Sequence, residues 1–296
     1  MSTEGTVLSD VRPAHSHRRS AGFANTLRGI YIVWYRDLLR YWRDRVRAVV
    51  GLAQPLLFLV VFGAGLGSSL GGSFGGGANG GASLSYAQFV YPGVVGMAVL
   101  FSAIFGAMSI VWDREFGFLK EILVAPIDRS AVAIGKALGG ATQAMIQGVI
   151  LLVLAPVIGV TLDLGTVLLL LPFLFILAFA LSAMGVALAS RMKSMQGFQI
   201  VMNFLMMPMF FLSGSLFPLT GVPDWMAVLG RLDPVTYGMD PIRRIVLGAT
   251  LPPDAVNALG LTIFDQVLPI GVEALILLGF GAVMLAIGVA NFRRRD

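Results

Sequence analysis

Six stretches of the chain are apolar and long enough to cross a hydrocarbon core, which takes about 20 residues of helix. They are residues 48–66, 90–111, 137–160, 166–189, 198–217 and 267–290. Together they contain one formal charge, Glu273, close to one end of the last stretch. Strands of a membrane barrel would be about 10 residues long with alternating polarity, so the pattern predicts helices throughout. The expected class is an all-α polytopic membrane protein with six transmembrane helices.

Between the spans the pattern changes character. Leu27, Ile30, Tyr31, Trp34, Leu38, Tyr41, Trp42 and Arg45 recur at helical spacing, with Arg28, Arg36, Arg40, Arg43 and Arg47 mostly off that stripe. This predicts an amphipathic helix lying in the interface against anionic lipid. Ten of the residues from Gly63 to Gly81 are glycine, which reads as a flexible linker. The run from Trp112 to Arg129 pairs Phe118 with Ile122 and Leu119 with Leu123, and predicts a short amphipathic helix ended by Pro126. Such a helix either turns the chain round or is gripped by a partner. From Pro218 to Gln266 the chain is too polar to span. Pro223, Asp233-Pro234 and Asp240-Pro241 each read as a helix start and Gly248 as a stop, so two or three short helices are expected at the outer surface.

Charge orients the spans. Of the 21 Lys and Arg, 18 fall in segments on one side and 3 on the other when both termini are placed inside. The positive-inside rule therefore puts the N and C termini in the cytoplasm. The net charge of +5 is a topological signal rather than a nucleic-acid patch. Residues 1–21 are polar and aperiodic and read as a disordered cytoplasmic tail, with residues 22–296 as a single transmembrane domain. The first span is not expected to be a cleaved signal peptide, because some 47 residues precede it and Gln54-Pro55 interrupts it.

Composition narrows the chemistry. With 57% hydrophobic and 12% charged residues, the 296-residue chain lacks the charge that a soluble surface requires. It has no cysteine, so thiolate metal sites are excluded. His15 and His17 stand in the tail, and no metal site is expected. Gly135-Lys136 has neither the upstream glycine nor the following Ser or Thr of a phosphate-binding loop, so the chain is not expected to hydrolyse ATP. The acidic residues between spans five and six have no His, Ser or Cys beside them and read as caps. Ala282, Ala286 and Ala290, and Ser102 with Gly106, form small-residue ridges suited to helix packing.

The ordered parts combine into a recognisable whole. Arg114-Glu115-Phe116-Gly117 and Leu123-Val124-Ala125-Pro126 follow the second span. Phe211-Leu212-Ser213-Gly214-Ser215-Leu216-Phe217-Pro218 closes the fifth, and Leu232-Asp233-Pro234-Val235-Thr236-Tyr237 lies in the loop beyond. From about Leu27 to Ala290 the chain resembles the membrane subunit of type-2 ABC transporters, in particular the daunorubicin-resistance-like permeases of bacteria. The Gly-rich first loop and Lys120-Glu121 depart from that family's pattern.

The resemblance implies a plasma-membrane exporter built from two permease subunits, each served by a separate cytoplasmic ATPase that binds ATP and Mg. It implies coupling through Arg114, Glu115, Phe116, Gly117, Leu119 and Glu121, with Trp34 and Arg40 as lesser contributors. It also implies a substrate path between spans two and five, lined by Phe101, Phe105, Asn203, Met206, Met207, Phe210 and Phe211. The cargo would be an amphipathic or hydrophobic compound, with a lipid-linked polysaccharide as the alternative within the family. An ion-coupled secondary transporter requires buried ionisable groups, and the scarcity of charge in the spans argues against it.

Overall fold

The computed structural model describes residues 23–74, 85–116, 128–217, 222–263 and 266–293. The predicted tail, the amphipathic helix around Phe118 to Leu123, and the candidates Gly117, Leu119 and Glu121 lie outside the described residues.

The chain is built from helices. Helix α1 (Phe23–Arg43) leads into α2 (Arg45–Phe74). The second span is α3 (Tyr86–Gly106) continued, after a turn at Ala107, by α4 (Met108–Glu115). The third is α5 (Arg129–Leu154), ended by a 3-10 turn over Ala155–Ile158. Helices α6 (Leu164–Ala189) and α7 (Met195–Leu212) follow. Three shorter helices, α8 (Asp224–Leu232), α9 (Thr236–Gly248) and α10 (Pro253–Ala258), precede a two-residue antiparallel pair, β1 (Thr262–Ile263) with β2 (Gln266–Val267). Helix α11 (Ile270–Arg293) closes the described chain. Among the described residues, five helices are long and apolar enough to cross a membrane singly; the sixth candidate is the pair 24–43 and 48–63, bent by 70°. The class is that of an all-α polytopic membrane protein, as the pattern predicts.

Polar side chains set where the helices begin. Ser85 and Gln88 close a reciprocal capping box at α3. Asp128 accepts from the Ser130 amide at 3.0 Å, and Ser194 from the Gly197 amide at 3.1 Å. Asp163 takes both the Gly165 and Thr166 amides. Each such cap contributes about 1 kcal/mol by occupying an amide the helix leaves free. Helices α3 and α6 form the centre: α6 packs on α3, α5, α9 and α11, and α3 on α2, α5 and α9. Close approach there depends on small residues. A Cβ on Gly106 would lie 2.8 Å from the Gly140 Cα, and one on Gly281 3.0 Å from the Ala180 Cα.

Several expectations are corrected. Span three begins at Arg129 rather than residue 137, because Asp128 caps it and Lys136, placed in a loop by its charge, is neutralised within the helix. Helix α2 continues to Phe74 through the first glycines of the predicted linker; helical bonding is how backbone polar groups are satisfied at bilayer depth. Ala282, Ala286 and Ala290 face outward, and α11 packs instead through Leu277, Gly281 and Gly288. The fifth span does not run on to Phe217: α7 stops at Leu212, and the turn beyond it has Gly214 at a φ of 73°.

The loop between spans five and six differs most. Helix α9 is not surface-bound but sunk among α3, α6 and α11, with most of its residues buried. Gly238 meets Leu177, near the middle of α6, and the position of a Cβ on Gly96 is filled by the Met239 sulfur. Helices α8 and α9 thus form a hairpin whose tip, Asp233-Pro234-Val235, reaches deep into the bundle. Asp233 does bond the Val235 amide, at 2.9 Å. Asp240-Pro241 starts no helix; Pro241 lies inside α9, in its second turn, where packing outweighs one missing backbone bond.

Candidate transport site and coupling region

Three helices converge on Lys136, which is 2% exposed. Its Nζ lies 3.0 Å from Asp37 Oδ1 of α1, 3.0 Å from Asp113 Oδ2 of α4 and 3.0 Å from Ser109 Oγ of α4, one acceptor for each of its three donors. Arg36 and Arg40 reach Asp113 at 3.2 and 3.3 Å, and the Arg40 guanidinium lies over the Trp112 ring, 5.6 Å from its centroid. Trp34 donates through Nε1 to Thr142 Oγ1 of α5 at 2.9 Å. So α1 is not laid simply against lipid: Gly29, Val33, Asp37 and Tyr41 form its buried stripe, while Tyr31 and Trp42 of the aromatic set face outward.

The sequence pattern did not single out Asp37 or Asp113. The signal was there: Asp37 stands at i+4 from Val33 and i−4 from Tyr41 on the packed stripe, where an unpaired carboxylate would be costly. These charges also correct the count of ionisable groups in the spans. Asp113, Lys136 and Glu273 all sit within span helices and are buried.

Arg114 and Glu115 bridge two further helix ends. The Arg114 guanidinium donates to the carbonyls of Ser190 at 2.9 Å, Ala189 at 3.4 Å and Met192, closing the C-terminus of α6. Glu115 Oε2 accepts from the Met195 amide at 2.9 Å, at the N-terminus of α7. Two adjacent side chains thereby hold both ends of the turn from Ser190 to Ser194. Asn291 of α11 joins the same corner, donating to Ser190 Oγ at 2.9 Å. Phe116 stacks on Trp112 with centroids 5.3 Å apart and is otherwise exposed.

A cavity of about 400 Å³ lies beside the Lys136 cluster, with walls from α1, α2, α3, α4, α5 and α7. Phe101 and Phe105 line it, together with Trp112 and the amides of Gln54, Gln147 and Gln199. The remaining path candidates separate. Met206 and Phe210 are buried, Phe210 meeting Phe58 of α2 edge-on at 6.3 Å, whereas Asn203, Met207 and Phe211 point away from the bundle on the open face of α7. Lining that is mostly apolar with a few convergent polar groups is the usual character of a small-molecule site. Gln54, Gln147 and Gln199 were missed because single glutamines in apolar runs carry no periodic signal.

At the opposite end, Glu273 does not reach water, as its place near a span end suggests, but is fully buried. Arg244 stands 3.8 Å from it and 3.4 Å from Asp240, and donates to the Leu268 carbonyl at 2.7 Å. Arg243 lies over the Phe89 ring at 5.6 Å. Among the described residues no group of three or more His, Asp or Glu is placed to hold a metal ion.

Comparison with known proteins gives a consistent result. The family model described as "ABC-2 type transporter" matches residues 28–247. The putative transport permease ycf38 of Cyanophora paradoxa is 27% identical over 216 residues, 72% of each chain. Nodulation protein J of Rhizobium leguminosarum bv. trifolii is 26% identical over 73% of this chain and 80% of its own. The inner membrane transport permease YadH of Escherichia coli (strain K12) is 23% identical over 73% of this chain and 82% of its own.

Proposed function

The chain belongs to the ABC-2 type transporter family, and on that premise we propose that it is the permease subunit of an ATP-driven exporter for an amphipathic or hydrophobic compound. The observation that carries this reading is the cavity around Phe101 and Phe105. It is enclosed by the helix that binds the basic cluster, by both halves of the second span and by the start of α7. Its apolar walls accept a hydrophobic body, and three amides and an indole supply orientation.

On this reading the end bearing Arg36, Arg40 and Lys136 faces the cytoplasm of a bacterial cell, with both termini inside. A separate ATPase subunit, binding ATP and Mg, docks near Arg114, Glu115 and Phe116 and the segment holding Gly117, Leu119 and Glu121. Its closure moves α4. Because Lys136 joins α4 to α1 and α5, and Arg114 with Glu115 joins α4 to the ends of α6 and α7, that movement reaches the walls that α1, α5 and α7 give to the cavity. Trp34 and Arg40 hold α1 in the same unit. A second permease subunit covers the open face of α7, so that Asn203, Met207 and Phe211 complete the path between the two copies.

Vesicles containing this chain and a P-loop ATPase subunit should accumulate substrate with ATP and not with a proton gradient alone. Equal uptake driven by the gradient without nucleotide would replace this reading with an ion-coupled carrier. A lipid-linked polysaccharide is the second reading of the cargo. It is supported by the cavity's three glutamine amides beside Tyr41 and Trp112, a lining suited to hydroxyl groups and sugar faces. Competition between an apolar amphiphile and a glycolipid for ATP-dependent uptake separates the two.

A further inference from the structure

Pro55 stands inside α2 and has no amide hydrogen. The Gly51 carbonyl, four residues earlier, therefore lacks the partner that a helix normally gives it. Among the described residues no side chain donates to it either. Side chains three and four positions further on lie over a helical carbonyl, so Gln54 and Pro55 flank this oxygen. Gly51, Gln54 and Pro55 all line the cavity around Phe101, which places the unpaired oxygen in its wall.

A second unpaired group stands beside it. Gln147 of α5 lines the same cavity, is 3% exposed, and its amide forms no hydrogen bond among the described residues. A Cβ on Gly51 would lie 2.3 Å from Gln147 Nε2, so the lack of a side chain at position 51 is what admits the amide. Buried polar groups are seldom left unpaired. Here an acceptor on α2 and an amide on α5 are left so, side by side on one wall. The charges of the lining offer no other anchor: Arg40 is held on Asp113 at 3.3 Å and over the Trp112 ring, and Asp44 has a partner of its own.

We propose that Gly51, Pro55 and Gln147 set the specificity of this cavity, selecting cargo that presents a hydroxyl, whose hydrogen goes to the Gly51 carbonyl and whose oxygen accepts from the Gln147 amide. This rests on the transport reading of the cavity and deepens it. One hydroxyl satisfies both groups. An ether oxygen serves the amide and leaves the carbonyl unpaired; an apolar end leaves both. Sites built to pair with a hydroxyl reject analogues that lack it, because their own buried polar atoms then stay unsatisfied. Pro55 touches no donor itself: it is a positioning residue, acting through the carbonyl it sets free.

The test is equilibrium binding of radiolabelled dodecanol and of its methyl ether to the full chain in phosphatidylcholine nanodiscs, with empty discs as the blank. The parent protein should bind the alcohol saturably and about tenfold tighter than the ether, the scale set by one buried group left unpaired. Pro55→Ala, a substitution that favours the helix, gives the Gly51 carbonyl a backbone amide and should bring the alcohol down to the affinity of the ether. Gln147→Leu, of similar size, should also weaken the alcohol. Equal affinities for the two ligands in the parent protein would overturn the proposal and leave the cavity as a transport site; that comparison requires no variant to fold. A preference for the alcohol undiminished in folded Pro55→Ala would overturn it as well. Saturable binding of neither ligand would overturn the transport reading of the cavity, and the proposal with it.

Discussion

Lys136 and Asp37 are 99 positions apart in the chain and 3.0 Å apart in the fold, both buried. This contact, with its counterpart to Asp113, makes the N-terminal helix part of the transmembrane bundle rather than a raft beside it. Removing the cation leaves two buried carboxylates without their shared partner. Lys136→Met should therefore lower stability by about 3–5 kcal/mol, the usual cost of breaking a buried pair. Thermal unfolding in detergent checks this, and adding Asp37→Leu to the variant should recover part of the loss. A Lys136→Met protein as stable as the parent would show that the cluster carries no net energy.

Glu115 accepts the Met195 amide, a bond that glutamine can keep and alanine cannot. Glu115→Ala should cost about 1 kcal/mol, as for a lost helix cap. On the proposed coupling route it should also lower substrate moved per ATP hydrolysed while the partner's ATPase rate persists. Glu115→Gln should retain both properties. Identical transport-to-hydrolysis ratios in the alanine variant and the parent would remove Glu115 from the coupling route.

Gly96 gives the Met239 side chain its place, since a Cβ there would overlap the sulfur. Gly96→Ala should destabilise by about 1–3 kcal/mol, the range for overpacking a filled core. Met239→Ala, added to it, should restore much of that by vacating the space. The comparison of melting temperatures tests whether the α8–α9 hairpin is inserted to this depth, because a hairpin lying on the surface would make the two substitutions independent.

Asn203 lies on the open face of α7 and Gln147 inside the cavity. If both serve the path, Gln147→Leu and Asn203→Leu should each change which substrates are transported more than they change expression. Transport measured across a panel of amphiphiles decides this. A uniform fall matched by loss of folded protein would make them packing residues.

Asp128 caps α5, and its bond to the Ser130 amide holds its carboxyl below the ordinary value. A depressed folded-state pKa contributes stability above the unfolded pKa, about 3.9, and that contribution is lost as pH falls through the folded value. The difference in melting temperature between the parent and Asp128→Ala should hence be constant near neutrality and shrink below about pH 4. A difference growing toward acid pH would contradict the cap.

The spans were legible because hydropathy is a local property: each apolar run reports its own preference for hydrocarbon whatever lies beside it. The chain's punctuation is equally local but went unread at the span starts: Ser85, Asp128, Asp163 and Ser194 stand where α3, α5, α6 and α7 begin. Faces were harder to read. The alanines of α11 and its glycines are all small, and only the partner helix shows that Gly281 and Gly288, not Ala282 and Ala286, are pressed against α6. Arg114 and Glu115 were picked out through a resemblance, whereas their bonds to the ends of α6 and α7 appear only once those helices are in place.

Two kinds of information therefore have different sources. The number of apolar spans, their helical state and the concentration of basic charge on one side follow from residue-by-residue transfer energies and backbone bonding, which need no knowledge of neighbours. The insertion of α9, the burial of Glu273 and the sharing of Lys136 between Asp37 and Asp113 depend on groups far apart in the chain meeting at one point. A charge in an apolar setting is tolerable only where its partner stands, and that position is settled by packing.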